Sequence, residues 1–415
     1  MITLLHGADF HLGITRYGHP TARGTNSRLD DFAATLARFV DVGIDRKVDL
    51  LVLAGDTFDT RHERPEERQV LASALVRARA AGIPVVIVEG NHDGRRVVGD
   101  AESSSLRWLQ TLTGSDEGLV VITKPGLVPV WAVRGKPIRI VGLPYPHKRS
   151  LDLVLADYAP GDRVVEAGRR LDYAIRSMAE EAHVDGIPTL FVGHLTVGGA
   201  TTGTERVMRF EDDVAIGSDA LDGFDYAALG HLHKQQRVSD KAAYAGAPEY
   251  IDFGEEGDPK GFLLVTMEAG EKPEVHGVAS GVRVAKTVMA AEVRPHRTMI
   301  VSPEVLLSEE GGRKWVLTSG LDDLAGAMVR LRVMPHGPVR SEGIAFLQSK
   351  VREAGASFVK TEVVKAEVAP TERPEVDRDL DPMEATRRHL GAKKVPPDQI
   401  EAAMAVAGQL LAATQ

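Results

Sequence analysis

The sequence predicts an α/β protein in which helices cover a sheet, followed by a smaller α/β unit and a helical tail. Three observations carry this. Short apolar runs rich in β-branched residues, each ending in polar residues, recur through the first half of the chain. Segments with helical period lie between several of them, the alternation expected of an α/β fold. Near residue 235 the pattern changes to strands joined by Gly and Pro turns, without intervening helices.

The first-half strands are Ile2–Leu5, Leu50–Leu53, Val85–Val88, Ile138–Leu143, Leu190–Val192 and Tyr226–Leu229. Leu29–Val42 places Leu29, Phe32, Ala33, Leu36, Phe39 and Val40 on one helical face. Pro65 opens a second helix at a favoured first-turn position, running through Val70, Leu71, Leu75 and Val76. Val164–His183 forms a third, with Leu171, Ile175 and Met178 on its apolar side. Tyr244–Tyr250, Gly261–Met267 and Val275–Val284 read as strands that could complete a second sheet of the same domain. These elements make a first domain over 1–284.

A smaller α/β unit follows over 285–368, with strands near Thr298–Val301, Met328–Val333 and Ser357–Val364 and a helix over Glu342–Ala354. Residues 369–382, APTERPEVDRDLDP, are polar and carry three prolines, a linker composition. Beyond it, in 383–415, Met383–Leu390 and Pro397–Ala413 read as two short helices.

Bulk chemistry narrows the function classes. With 415 residues, 43% hydrophobic, the chain can bury a sizeable core over two or three domains. A net charge of -9 gives no general attraction to polyanions, so any nucleic acid must be gripped locally. The absence of cysteine excludes disulfides, thiolate zinc sites and a cysteine nucleophile. No apolar run reaches the roughly 18 residues of a membrane span. Met1–Leu5 runs straight into a strand pattern with no signal-peptide character. The expectation from these observations is a cytoplasmic protein that does not contact membranes.

Five polar clusters follow five of the strands: Asp9-Phe10-His11, Gly55-Asp56-Thr57-Phe58-Asp59, Gly90-Asn91-His92-Asp93, Gly193-His194 and Gly230-His231-Leu232-His233. In sheets of this kind, ligands bind outside the carboxyl ends of the strands, so all five converge on one edge. Carboxylates, imidazoles and an amide form a hard-to-borderline donor set suited to manganese, iron or zinc. A carboxylate such as Asp56 can bridge two ions, and two metals can clamp both oxygens of a phosphoryl displacement. The glycines before the ligands let the backbone approach closely. No single cluster is specific; the order, strand-end placement and complementarity of all five carry the reading.

The clusters resemble those of the calcineurin-like metallophosphoesterase superfamily. The strings LLHGADFHLG (4–13), LAGDTFDT (53–60), VEGNHDG (88–94), IVGLPYP (140–146), ALGHLHK (228–234) and AGAPEYIDFGEEGDPKGF (245–262) are similar to its double-strand-break repair nuclease branch, the SbcD-like nucleases. The resemblance covers roughly 1–285, with 285–368 in the place of that family's capping, DNA-binding domain. It implies a two-sheet sandwich flanked by helices. One metal would take Asp9, His11, Asp56 and His233, and the other Asp56, Asn91, His194 and His231, with Mn2+ the implied ion at both. His92 would face the scissile phosphate and assist the leaving oxygen. Asp59 stands where some relatives carry histidine; it and Asp93 would support the ligands.

The implied activity is 3′ to 5′ exonuclease and hairpin-opening endonuclease cleavage of DNA. The implied partners are DNA ends and hairpins and an SMC-like ATPase of the SbcC type, with a homodimer inside a heterotetramer and the 383–415 helices docking onto the ATPase. Arg61, Arg64, Arg95 and Arg96 flank the site and could contact DNA phosphates. A phosphoesterase for cyclic nucleotides or phosphoproteins keeps the same metal site with another substrate. A catalytically silent DNA-end scaffold is the reading from another class, and a complete ligand set argues against it.

Overall fold

The structure, a computed structural model, describes residues 1–95, 103–112, 118–147, 160–184, 186–201, 214–279, 283–284, 287–288, 293–301, 321, 324–334, 341–364, 384, 386–387, 390 and 397–412. It divides into two compact units, Met1–Val333 with Pro338–Glu362, and Met334–Gly337 with Val363–Gln415.

Two six-stranded sheets form the centre of the larger unit. The first runs in the order Glu274–Ala279 (β12), Gly261–Met267 (β11), Ile2–Gly7 (β1), Leu50–Ala54 (β2), Val85–Val88 (β3) and Leu119–Ile122 (β4). Within it β1 to β4 are parallel, and β11 and β12 add an antiparallel edge. The second runs Gln236–Arg237 (β9), Ala242–Tyr244 (β10), Tyr226–Gly230 (β8), Thr189–His194 (β7), Lys136–Leu143 (β6) and Gly126–Val133 (β5). Here β6, β7, β8 and β10 are parallel.

Alternation along the strands decides what each face meets. Leu4, Val52, Val86 and Val88 from the first sheet pack against Ile138, Ile140, Leu190, Val192 and Ala228 from the second, giving a dry inter-sheet core. The opposite residues, Leu5, Leu51, Leu53 and Ile87, face the helices Ser27–Asp45 (α1) and Pro65–Ala80 (α2) through Phe32, Leu36, Phe39 and Leu71. On the far side, Val141, Phe191, Ala227 and Leu229 meet Ile175, Ala179 and Ala182 of Pro160–Ala182 (α3). The result is a helix–sheet–sheet–helix sandwich, the expected class. Each Leu or Phe fully withdrawn from water contributes roughly 1.5–3 kcal/mol.

Local chemistry explains the helix starts. The Asn26 side chain accepts the Arg28 N–H at 2.9 Å, and the Arg64 N–H donates to Glu67 at 2.8 Å beside Pro65. Three strands of the two sheets escaped the sequence reading, β4, β5 and the two-residue β9. In β5 the ladder with β6 shifts register between Val128 and Trp131, where Pro129 has no N–H to give. Conversely, the strand expected over Tyr244–Tyr250 ends at Tyr244, and 245–250 runs on as irregular chain. Only 275–279 and 283–284 of the expected Val275–Val284 strand pair within the described residues.

In the 285–368 region the described strands are His296–Val301 (β13), Met328–Val333 (β14) and Phe358–Val363 (β15), hydrogen-bonded in that order, with the helix Ser341–Glu353 (α4). Val301, Val329, Leu331, Val333, Leu347 and Val351 form its own small core. Arg294 clamps Asp31 of α1 with two bonds, at 2.8 and 2.6 Å, which ties this module to the sandwich. The linker 369–382 lies outside the described residues. In the smaller unit, Pro397–Ala412 is helical (α5), Glu384, Thr386, Arg387 and Leu390 have helical backbone, and Arg387 pairs with Glu401.

Candidate metal centre

The five clusters meet where β1, β2, β3, β7 and β8 end. Their loops are stitched together by backbone bonds: the Asp9 N–H donates to Gly55 O at 3.0 Å and the His11 N–H to Asp56 O at 2.9 Å. The two sheets are joined here too, since the Asp9 carboxylate accepts the His231 N–H at 3.0 and 3.1 Å. Asp9, His11, Asp56 and His231 all have positive φ, at 53°, 43°, 47° and 101°. Side-chained residues rarely adopt such backbone, and such strain gathers at functional sites. Gly55, with φ 88°, cannot be replaced cheaply, because a Cβ there would overlap the His194 ring. At Gly90 a Cβ would overlap the Asp56 carboxylate.

The donors form two groups around Asp56. Asp9, His11 and His233 each offer one ligand atom, all within 4.8 Å of one another, as do Asp9, Asp56 and His194. His11 Nε2 lies 3.2 Å from His233 Nε2. On the other side Asn91 Oδ1 stands 3.0 Å from His194 Nε2 and 2.9 Å from His231 Nδ1. Asp56 Oδ2 is 3.2 Å from His194 and 3.6 Å from His11, between the two groups.

Protonation shows that these residues fit a cation. His194 Nδ1 sits 2.8 Å from the Ala54 carbonyl, so it donates there and Nε2 carries the lone pair of the neutral ring. That lone pair is aimed at the oxygens of Asp56 and Asn91. Acceptors facing one another are stable only around a proton or a metal ion. Burial works against a charged His194, yet Asp56 and then Asp9 carry its pKa up to about 9. Burial would likewise raise the Asp56 carboxyl, but His194, His11 and His92 hold it well below the usual range. Carboxylates and imidazole lone pairs thus converge in a way that suits a bound cation.

The supporting residues are equally specific. Asp93 is fully buried and accepts three backbone N–H groups, from Phe58 at 2.8 Å, Gly90 at 3.0 Å and Thr57 at 3.1 Å. It thereby locks the Asp56 loop to the Asn91 loop; burial and the nearby Asp56 push its pKa to about 6. Asp59 Oδ1 lies 3.4 Å from His11 Nδ1. His92 stands at the mouth with its side chain 42% exposed, and its Nδ1 donates to the Asp59 carbonyl at 2.7 Å. His92 is near enough to Asp56 and His11 to join a metal group. Its tethered Nδ1 leaves Nε2 as the nitrogen that can act.

Arg61 lies on the neighbouring loop, its Nε donating to His62 at 3.0 Å, and Arg64 caps α2. Arg96 and the Arg95 side chain lie outside the described residues. Sequence reasoning missed Glu255, buried against His233 at 2.9 Å. Its only signal was its place in the string 245–262.

A sandwich with clustered Asp, His and Asn side chains at the strand ends defines a metal-dependent phosphoesterase. The calcineurin-like phosphoesterase family matches residues 2–235, more than half of the chain, and the chain belongs to that family. Family and donor set together point to two divalent metal ions. Among solved structures the chain is similar to a dimetal phosphatase from Danio rerio, at 12% identity and TM-score 0.37, covering 66% of this chain and 98% of that one. A protein from Thermus thermophilus is similar at 12% identity and TM-score 0.35, with the same coverage. No described helix is long and apolar enough to cross a membrane.

Proposed function

We propose that the chain is a metal-dependent DNA nuclease of the SbcD type, an exonuclease and hairpin endonuclease working with an SMC-like ATPase. One observation supports a polymeric substrate over a small phosphoester. The loop Tyr250–Glu256 reaches the metal centre through Glu255 and holds the β13–β15 module through Glu256, which accepts the Thr298 N–H at 2.9 Å. The Arg330 guanidinium lies 5.0 Å over the Phe253 ring in the same loop. A folded module thus stands one loop away from the metal centre, and an extended strand, unlike a small phosphoester, can use such a second surface.

In this reading Asp9, His11, Asp56 and His233 would hold one ion and Asp56, Asn91, His194 and His231 the other. When bound, two Mn2+ ions would supply Lewis acidity at both ends of an in-line displacement. The chain's own residues do the rest. Asp93 fixes the loops that present the donors. Asp59 orients His11 and His92. His92 delivers a proton from Nε2 to the departing oxygen. Arg61, Arg64, Arg95 and Arg96 are proposed contacts to the DNA backbone, Met383–Leu390 and α5 the ATPase-docking segment, and the active species a homodimer in a heterotetramer.

The test is direct. Purified protein with Mn2+ is incubated with end-labelled duplex, hairpin DNA, a cyclic nucleotide and a phosphopeptide. Cleavage of the DNA substrates alone is expected. Turnover of the cyclic nucleotide or phosphopeptide at rates above DNA cleavage overturns the nuclease reading, and no turnover of any substrate favours a silent scaffold.

A further inference from the structure

Glu255 is a charged side chain with no exposed surface, and its carboxylate meets three groups unlike one another. Oε1 lies 2.9 Å from His233 Nδ1; Oε2 accepts from the Ile251 N–H at 3.1 Å and from the Lys260 ammonium at 2.7 Å. Lys260 is also buried, and its ammonium lies 5.1 Å over the Tyr250 ring. A buried ion pair is a poor way to gain stability, because desolvating both charges costs about as much as their attraction returns. What it does well is fix a geometry. The 3-10 turn Phe253–Glu255, begun by Asp252 accepting the Gly254 N–H at 3.0 Å, sets the backbone, and Lys260 sets the carboxylate plane.

The consequence falls on His233. Its Nδ1 must donate to Glu255, so its Nε2 is left as the lone-pair nitrogen, aimed at the His11 Nε2 atom 3.2 Å away. A carboxylate behind a ligating imidazole selects its tautomer, holds its plane and raises its basicity. From this geometry we infer that Glu255, with Lys260 behind it, is the positioning residue that prepares His233 as a metal ligand. This rests on the assignment of His233 as a ligand under the proposed function. Glu255 is not among the proposed ligands; it acts through His233.

The test is metal binding rather than turnover. Mn2+ affinity and stoichiometry are measured by calorimetry on wild type, His233→Ala, Glu255→Ala, Glu255→Gln and the double variant Glu255→Gln with Lys260→Met. The double variant leaves no unpaired ammonium inside, so it keeps the fold testable if the single variants do not fold. In metal-free protein, imidazole 15N shifts report the His233 tautomer. The expected result is a 10–100-fold loss of affinity at one of two sites in every folded Glu255 variant. It should be largest for Glu255→Ala and partly rescued in Glu255→Gln, whose amide oxygen can still accept from Nδ1. The Nδ1–H tautomer should dominate in wild type and be lost in Glu255→Ala. If folded Glu255 variants bind two Mn2+ within twofold of wild type while His233→Ala loses one, Glu255 is only structural and the inference fails. If His233→Ala itself keeps both ions, the ligand assignment fails instead.

Discussion

The His92 backbone N–H donates to Asp56 Oδ1 at 2.8 Å. The residue at the solvent mouth is therefore anchored by its main chain to the carboxylate at the centre of the cluster, and its side chain is free of that duty. The same bond means that changes to the two residues should have separable consequences.

Asp56→Asn keeps shape but removes the charge between the two donor groups. Occupancy at both metal positions should fall together and phosphoester hydrolysis should be lost. His231→Ala should mainly empty one position. Elemental analysis finding two full metals in Asp56→Asn would contradict the bridging role.

His92→Ala keeps the backbone bond to Asp56 and removes only the ring. Metal content and thermal unfolding should match wild type, while turnover falls by about 10²–10⁴, the range for a lost general acid. Loss of a metal on this substitution would make His92 a ligand, a role its distance to Asp56 and His11 allows.

Asp93→Ala strips one acceptor from three backbone N–H groups at once. Each buried donor left unsatisfied costs about 1–3 kcal/mol, not additively. Denaturant unfolding should show a loss of several kcal/mol, with reduced metal binding in whatever folds. A variant as stable as wild type would mean that the two loops hold together by other means.

Acid should weaken the fold through His6. The ring lies in the inter-sheet core beside the Tyr226 hydroxyl at 3.0 Å, and burial lowers its pKa from 6.5 to about 3, against a small opposing effect of the Leu229 backbone. Between pH 6.5 and 3 the unfolded chain binds a proton that the folded chain refuses, so stability falls as pH falls, by up to ~1.4 kcal/mol per pH unit. Above the unfolded value the contribution is flat. Urea unfolding of wild type and His6→Gln at about pH 7.5, 6.5 and 5.5, spanning the onset of that window, should show a shallower acid loss in the variant. Parallel curves would exclude His6 as the source.

Removal of 383–415 tests the partner proposal. Folding and Mn2+-dependent cleavage of hairpin DNA should survive, while co-purification with the ATPase and ATP-dependent processing of duplex ends should vanish. Unaltered binding by the truncated chain would leave the two helices as packing elements only.

The convergence of the five polar clusters could be read from the sequence because parallel strands deliver their carboxyl ends to one edge: a motif after β1, β2, β3, β7 or β8 has nowhere else to go. Asp93 could be placed for the same reason, as a neighbour of Asn91. Glu255 could not. It comes from a loop after β10, and its partner His233 arrives from another strand, so only the tertiary fold joins them. The missed β5 is an edge strand whose Val-Pro-Val core breaks alternation at the register shift. The strand expected over Tyr244–Tyr250 stops at Tyr244 because Gly246, with φ 74°, and Pro248 break the ladder, and 249–252 is given over to side-chain contacts of Glu249 and Asp252 with Thr35, Tyr17 and Arg16.

The bond from the His231 N–H to the Asp9 carboxylate has a mechanical meaning. The two sheets meet in their core chiefly through apolar side chains, which resist separation far better than they resist sliding. At the strand ends this charged clasp crosses the gap and pins one sheet's offset against the other. A shear of one sheet past its neighbour by even a fraction of a residue would break the clasp and pull His231 away from Asn91. The amide of His231, although it lies in a loop, should therefore exchange with deuterium as slowly as those of the central strands, and its protection should report the alignment of the whole sandwich.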